Sequence, residues 1–123
     1  MMGQVPMRCH RDLDVWMKSM ELVTQIYRMT KGFPTDELYG LISQMRRSAV
    51  SIPSNIAEGA GRGSQKEFIQ FLYIALGSLA ELETQLQISK NLEYLDDIED
   101  CRNMIQRIRK MIIGLMNSLK NQV

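Results

Sequence analysis

Ile98-Glu99-Asp100-Cys101-Arg102-Asn103-Met104-Ile105-Gln106-Arg107-Ile108-Arg109-Lys110-Met111-Ile112-Ile113-Gly114-Leu115-Met116-Asn117-Ser118-Leu119 sets apolar residues at alternating steps of three and four. Ile98, Cys101, Ile105, Ile108, Ile112, Leu115 and Leu119 form an unbroken seven-residue repeat over three heptads. That spacing stacks one side of a helix with hydrocarbon. A half-buried strand would alternate every second residue, and no stretch of the chain does so for long enough. The block is expected to start near Asp96, after a turn at Asn91 to Tyr94.

The blocks before it read the same way. Ser64-Gln65-Lys66-Glu67 is a capping box, in which Ser64 and Glu67 each satisfy a backbone donor. The helix it opens is expected to reach Ser89 or Lys90, with an inward seam of Phe68, Phe71 or Leu72, Ala75, Leu79, Leu82 and Leu86. Upstream, Thr35 is the expected N-cap of a helix whose seam is Leu38, Leu41, Met45, Ala49, Ile52 and Ile56. Pro53 should kink this helix without ending it, because the period survives on both sides, and it should stop near Gly59-Ala60-Gly61. The first helix is expected from Asp12 or Asp14 to about Lys31, with Leu13, Trp16, Met20, Val23 and Tyr27 on one face. Four long helices with short connections imply an all-α, antiparallel up-down-up-down four-helix bundle over residues 12–121, preceded by a flexible segment, residues 1–11.

Composition narrows the function classes. The 123 residues carry 15 Lys and Arg against 14 Asp and Glu, a net charge of +1, and 45% are hydrophobic. Neither a strongly basic nucleic-acid binder nor a disordered acidic tail has that balance. The longest wholly apolar run, Phe71 to Leu76, is six residues, against the ~20 a bilayer span needs. No secretory signal precedes the helices, so a cytoplasmic protein with reduced Cys9 and Cys101 and no membrane partner is expected.

The residues of familiar active sites are missing. His10 is the only histidine and stands before the first helix, which leaves no Ser-His or Cys-His pair and no Glu-x-x-His di-iron motif. Cys9 and His10 are adjacent, but two further ligands at zinc-site spacing are absent. Gly59-Ala60-Gly61-Arg62-Gly63-Ser64 lacks the lysine of a phosphate loop. Glu81 and Glu83 stand two apart on a helix and point away from each other. No catalytic, cofactor or metal residues are therefore expected, and the protein reads as a non-enzyme.

Three features exceed what a lone bundle needs. Beside the inward seam of the third helix runs a second apolar row, Ile69, Tyr73, Leu76 and Ala80. Either a wide seam in a tight bundle or a subunit interface accounts for it, and Gly77 and Ser78, small enough for a close backbone approach, lean toward the interface. On the second helix Gln44, Arg47, Ser51, Asn55, Glu58 and Arg62 form a polar stripe. It is either a solvated face or a hydrogen-bonded network between subunits, to which Asn55 and Glu58 would belong. Finally, residues 91–100 contain only acids and residues 101–123 only bases. The helix dipole favours that segregation, and a phosphate-binding patch of Arg102, Arg107, Arg109 and Lys110, joined by Arg46, Arg47 and Arg62, is the alternative.

Several segments together resemble a known family. Leu13-Asp14-Val15-Trp16 and Phe33-Pro34-Thr35-Asp36-Glu37-Leu38-Tyr39-Gly40-Leu41 open the first two helices. Gln44 to Gly59, with Ser51-Ile52-Pro53-Ser54-Asn55-Ile56-Ala57-Glu58-Gly59 at its end, is the most specific part, followed by Arg62 to Phe68 and Ala75 to Glu83. The pattern is similar to that of the bacterial 23S ribosomal RNA intervening-sequence proteins, a family that includes accessory proteins of diversity-generating retroelements. It spans residues 11–120 or so. The resemblance implies a ring-like homopentamer of bundles and an association with RNA or a ribonucleoprotein, or with a partner protein such as a reverse transcriptase. It supplies no catalytic residues; Asn55, Glu58, Gly59 and Arg62 match its signature as structural or interfacial positions.

Overall fold

The four seams become four helices: α1 (Asp14–Thr30), α2 (Leu41–Ala60), α3 (Gln65–Asn91) and α4 (Glu99–Lys120). Single 3-10 turns stand at His10–Asp12 and Thr35–Glu37, and no strand occurs among the described residues. The structure, a computed structural model, describes residues 9–121, so residues 1–8 of the N-terminal segment lie outside it. At the start of the described chain the His10 ring stands edge-on to Trp16, with centroids 5.1 Å apart.

Side-chain contacts fix the directions of the helices. The end of α1 meets the start of α2 where Arg46 Nε donates to Thr30 Oγ1 at 3.0 Å. The start of α2 meets the end of α3 where Ser89 Oγ donates to Met45 Sδ at 3.3 Å. Helix α3 meets α4 at Glu83 with Arg109, 2.9 Å apart, and at Tyr73 with Lys120, 3.3 Å apart. The pairs at Thr30 with Arg46, Met45 with Ser89 and Tyr73 with Lys120 each join one end of a helix to the opposite end of its neighbour or the adjoining turn of chain. Glu83 with Arg109 joins the later half of α3 to the middle of α4, and the whole set is antiparallel packing. Contacts between α1 and α4 close the bundle. Leu22, Ile26, Met45, Ile52, Ile56, Leu72, Leu79, Leu82, Leu86, Ile105 and Ile108 fill its centre.

Helices α2 and α3 share the most extensive contact, and small residues allow it. Ser48, Gly59, Ala75 and Ser78 are buried. A Cβ on Gly59 would come within 2.8 Å of both Phe68 Cδ1 and Phe71 Cβ, so the backbone of α2 approaches α3 as only glycine permits.

Several local expectations need correction. The buried face of α1 is Val15, Ser19, Leu22, Ile26 and Thr30. Of the expected row only Leu13 is buried; Trp16 and Val23 are half-buried, and Met20 and Tyr27 are exposed. The core accepts Ser19 and Thr30 because each hydroxyl donates to the carbonyl four residues earlier, at 2.7 Å to Val15 and 2.8 Å to Ile26. Leu13 occupies the cap of α1, with no side-chain capping bond.

The second helix starts later than expected. Thr35 caps nothing with its side chain. Glu37 reaches forward instead, and its Oε1 accepts the backbone N–H of Leu41 at 3.1 Å. Leu38 is consequently left half exposed on the connection rather than in the seam. Helix α2 then runs through Pro53, which is buried.

At Ser64 the capping contact forms, with Oγ accepting from the Glu67 N–H at 3.2 Å. Helix α4 begins at Glu99, later than Asp96, after Glu99 N–H donates to Asp97 Oδ1 at 2.9 Å. Near its end the core position passes from Leu115 to Met116. A straight helix drifts ~20° per heptad against a strict seven-residue repeat, about 40° in the two heptads after Cys101.

Candidate oligomer and nucleic-acid surfaces

Helix α3 turns one side to α2, through Ser78, and another to α4, through Tyr73 and Glu83. Between these lies an outer face bearing Tyr73, Ile74, Gly77, Ala80 and Ile88, all exposed. Tyr73 and Ile74 retain 54% and 51% of their surface, so half of each side chain stays in water. The expected second row therefore divides. Ile69 and Leu76 are partly buried against the core, while Tyr73 and Ala80 face outward. Ile74 was not in that row; the signal for it was the uninterrupted apolar run Phe71 to Leu76, which must place hydrocarbon on every side of the helix. Ile113 of α4, one heptad before Lys120, is likewise 43% exposed.

The polar stripe of α2 separates into three environments. Asn55 Nδ2 donates to Ser51 O at 2.7 Å and to Ser51 Oγ at 2.9 Å, and Ser51 Oγ lies 2.8 Å from Ser78 Oγ. Ser78 also donates to Ile74 O at 3.2 Å. Asn55 thus belongs to a network joining α2 to α3 within one chain. Glu58 pairs with Arg62 at 2.9 Å, and Arg62 spreads over the Phe71 ring at 5.1 Å and lies 3.8 Å from Glu67. Gln44 and Arg47 face solvent.

The basic residues are distributed rather than gathered. Arg46 fastens α1 to α2: besides Thr30 it donates to Tyr27 O at 3.4 Å, and its guanidinium lies 4.5 Å above the Tyr27 ring. Arg102 pairs with Glu99 at 3.5 Å. Arg109 bonds Glu83 at 2.9 Å and Gln106 at 2.6 Å, both partners of the ion pair being about three-quarters enclosed. Arg47, Arg107 and Lys110 are exposed and make no ion pair among the described residues. Arg46 and Arg47 lie on α2 and Arg62 on the turn that follows it, and the other four lie on α4. These two helices are diagonal partners in the bundle, with no mutual packing. Sequence spacing places residues along each helix but does not say which neighbour takes up a guanidinium.

Among the described residues no three His, Cys, Asp or Glu side chains come together as a metal-binding group, and no helix is long and apolar enough to cross a membrane.

The sequence model of the 23S rRNA-intervening sequence protein family matches residues 11–114. A solved structure from Bacteroides thetaiotaomicron VPI-5482, a protein of unknown function from the S23 ribosomal protein family, superposes with a TM-score of 0.77 at 29% identity. The match covers 84% of this chain and 95% of that one. No curated protein matches the chain.

Proposed function

The chain belongs to the 23S rRNA-intervening sequence protein family, and from that premise we propose that it is a non-enzymatic, homo-oligomeric helical bundle of the cytoplasm that associates with ribosomal or other structured RNA. The outer face of α3 carries the proposal. Tyr73 and Ile74 leave half their surface in water there, beside Ala80 and the closely approachable Gly77. Covering a whole side chain of this size is worth about 1.5–3 kcal/mol, so sister copies that bury this face gain from it repeatedly. The resemblance to the family makes five copies in a ring the number to test. Light scattering is expected to give a multiple of the 14.2 kDa chain mass. Tyr73→Asp combined with Ile74→Asp should reduce it to one chain with helicity retained. A single-chain mass for the unmodified protein overturns the oligomer.

For RNA, the support is Arg47, Arg107 and Lys110, which are exposed and have no acidic partner among the described residues. Each phosphate they engage should contribute roughly 0.7–0.9 to the slope of log affinity on log salt. Fluorescence anisotropy with ribosomal RNA fragments at two salt concentrations measures that slope, and no binding at low salt removes the RNA role.

A second reading has its own observation. Arg46, Arg62, Arg102 and Arg109 already have partners within the chain, those of Arg62 and Arg102 at the surface, and the chain is only +1 overall. A scaffold that recruits a protein without touching nucleic acid fits that economy of charge. Its binding would tolerate salt and survive Arg107→Glu with Lys110→Glu, which should abolish a phosphate contact on α4.

A further inference from the structure

We infer that the groove at the corner of α1 and α2, lined by Tyr27, Tyr39, Ser43, Arg46 and Arg47, is a stacking site for an unpaired nucleotide of single-stranded RNA; this rests on the RNA role proposed above and names its site. Tyr39 is 93% exposed, the most exposed large apolar or aromatic residue among the described residues. It nevertheless sits on a built turn. Gly40 N–H donates to Glu37 O at 3.0 Å, and the Glu37 carboxylate caps α2 one residue later. A Cβ on Gly40 would stand 2.7 Å from Glu37 Oε1, so a larger residue there would displace the capping carboxylate. A tyrosine held on an ordered turn with almost its whole ring in water is offered to something outside the chain.

The surroundings say what that is. The groove is shallow and open to solvent, about 490 Å³ in volume, with Leu38, Ile42 and Val50 as its apolar part and no carboxylate in its lining. Arg46 already lies over the Tyr27 ring, 4.5 Å from its centroid and anchored by Thr30 and the Tyr27 carbonyl, a prearranged cation-on-ring contact. Arg47 is exposed beside it with no ion pair among the described residues, and its forked guanidinium suits a phosphate. Aromatic faces interleaved with arginine are how proteins hold unstacked bases: the ring takes the base and the cation takes the backbone. A duplex keeps its base faces covered, so the groove selects loops, bulges and ends.

The test is anisotropy of a short fluorescein-labelled oligo(A), alone and annealed to its complement. Single-stranded binding should exceed duplex binding. Tyr39→Ala should weaken the single strand roughly tenfold, consistent with one lost base stack, while Tyr39→Phe keeps it. Arg47→Ala should lower the salt slope by about 0.7, one single-strand phosphate. The Tyr39 ring is almost wholly in water, so unchanged thermal melting checks that the fold survives. If Tyr39→Ala binds oligo(A) as tightly as the unmodified protein while Arg107→Ala with Lys110→Ala abolishes binding, the groove assignment is overturned and the RNA role stands. If the unmodified protein binds no RNA at low salt, both fall.

Discussion

Tyr94 donates its phenolic hydrogen to Glu37 Oε2 at 3.0 Å, while the other oxygen of that carboxylate accepts the N–H of Leu41 at 3.1 Å. One side chain therefore starts α2 and fastens the α1–α2 connection to the α3–α4 turn. The Phe33 and Tyr94 rings, 5.2 Å apart, close the same end of the bundle. Glu37→Ala removes both bonds, and the lost cap alone should cost about 1 kcal/mol. Urea denaturation at neutral pH measures it.

The same bond sets a pH dependence. The hydrogen bond to Glu37, then burial, then the charges of Glu37 and Asp36 push the Tyr94 phenol above its ordinary 10.0. The folded state thus holds this proton more tightly than the unfolded chain. Its contribution is complete below pH 10 and disappears as pH climbs through the raised value. The stability difference between the unmodified protein and Tyr94→Phe should be largest near neutrality and shrink in strong alkali. An unchanged difference at high pH would refute the linkage.

Glu93 has φ of 65°, a left-handed conformation that suits glycine. It ends α3 in a paired motif: its N–H donates to Lys90 O and the Tyr94 N–H to Ser89 O, each at 2.9 Å. Glu93 itself is exposed. Glu93→Gly should relieve the strain, offset in part by the freer unfolded chain, for a net gain of up to about 1 kcal/mol. The thermal midpoint should rise; a fall would mean that the carboxylate contributes something its exposure does not suggest.

The seams of α2, α3 and most of α4 were legible because an unbroken apolar row runs along each, with the buried Ser48, Ser78 and Ser89 beside it. Helix α1 was misread for the converse reason. Its core row includes Ser19 and Thr30, whose hydroxyls are satisfied by their own helix, so a hydropathy pattern prefers the oilier row through Trp16 and Met20. The start of α2 was misplaced because Thr35 is a good cap by type, whereas the bond actually made comes from Glu37, and its other oxygen is claimed by a residue 57 positions away. Charge patterns located the arginines but not their partners. Arg46 over Tyr27 and Arg109 on Glu83 depend on which helices adjoin. The Tyr39 groove was invisible for the same reason, since it needs α1, the connection and α2 at once.

The two cysteines should behave oppositely. Cys9 is exposed and Cys101 is buried, with burial pushing the Cys101 thiol from 9.0 up to about 12. At pH 8 a thiol reagent should label one cysteine per native chain at once and the other only on unfolding, because the thiolate is the nucleophile. Because burial penalises the thiolate, the fold also loses stability between pH 9 and about 12, where the unfolded chain ionises this thiol and the native chain does not. Cys101→Ala should flatten that part of the alkaline limb, while Cys9→Ala leaves it unchanged.

Gly59 and Gly114 both lie inside helices, yet an added methyl should act in opposite directions. At Gly114 a Cβ meets nothing within 4 Å, so Gly114→Ala gains about 1 kcal/mol of helix propensity. At Gly59 the same gain is opposed by contacts of 2.8 Å to Phe68 Cδ1 and Phe71 Cβ. Phe71 Cβ, and the Phe68 carbonyl 3.3 Å from the added methyl, are fixed to the backbone of α3, so the helices must separate. Overpacking of this kind costs about 1–3 kcal/mol, which leaves Gly59→Ala less stable than the unmodified protein by about 1 kcal/mol. Separating α2 from α3 also stretches the 2.8 Å contact between Ser51 and Ser78, so combining Gly59→Ala with Ser78→Ala should cost less than the sum of the two. Urea midpoints for the single and double variants measure this coupling, and simple additivity would show that the approach at Gly59 does not position the hydroxyl pair.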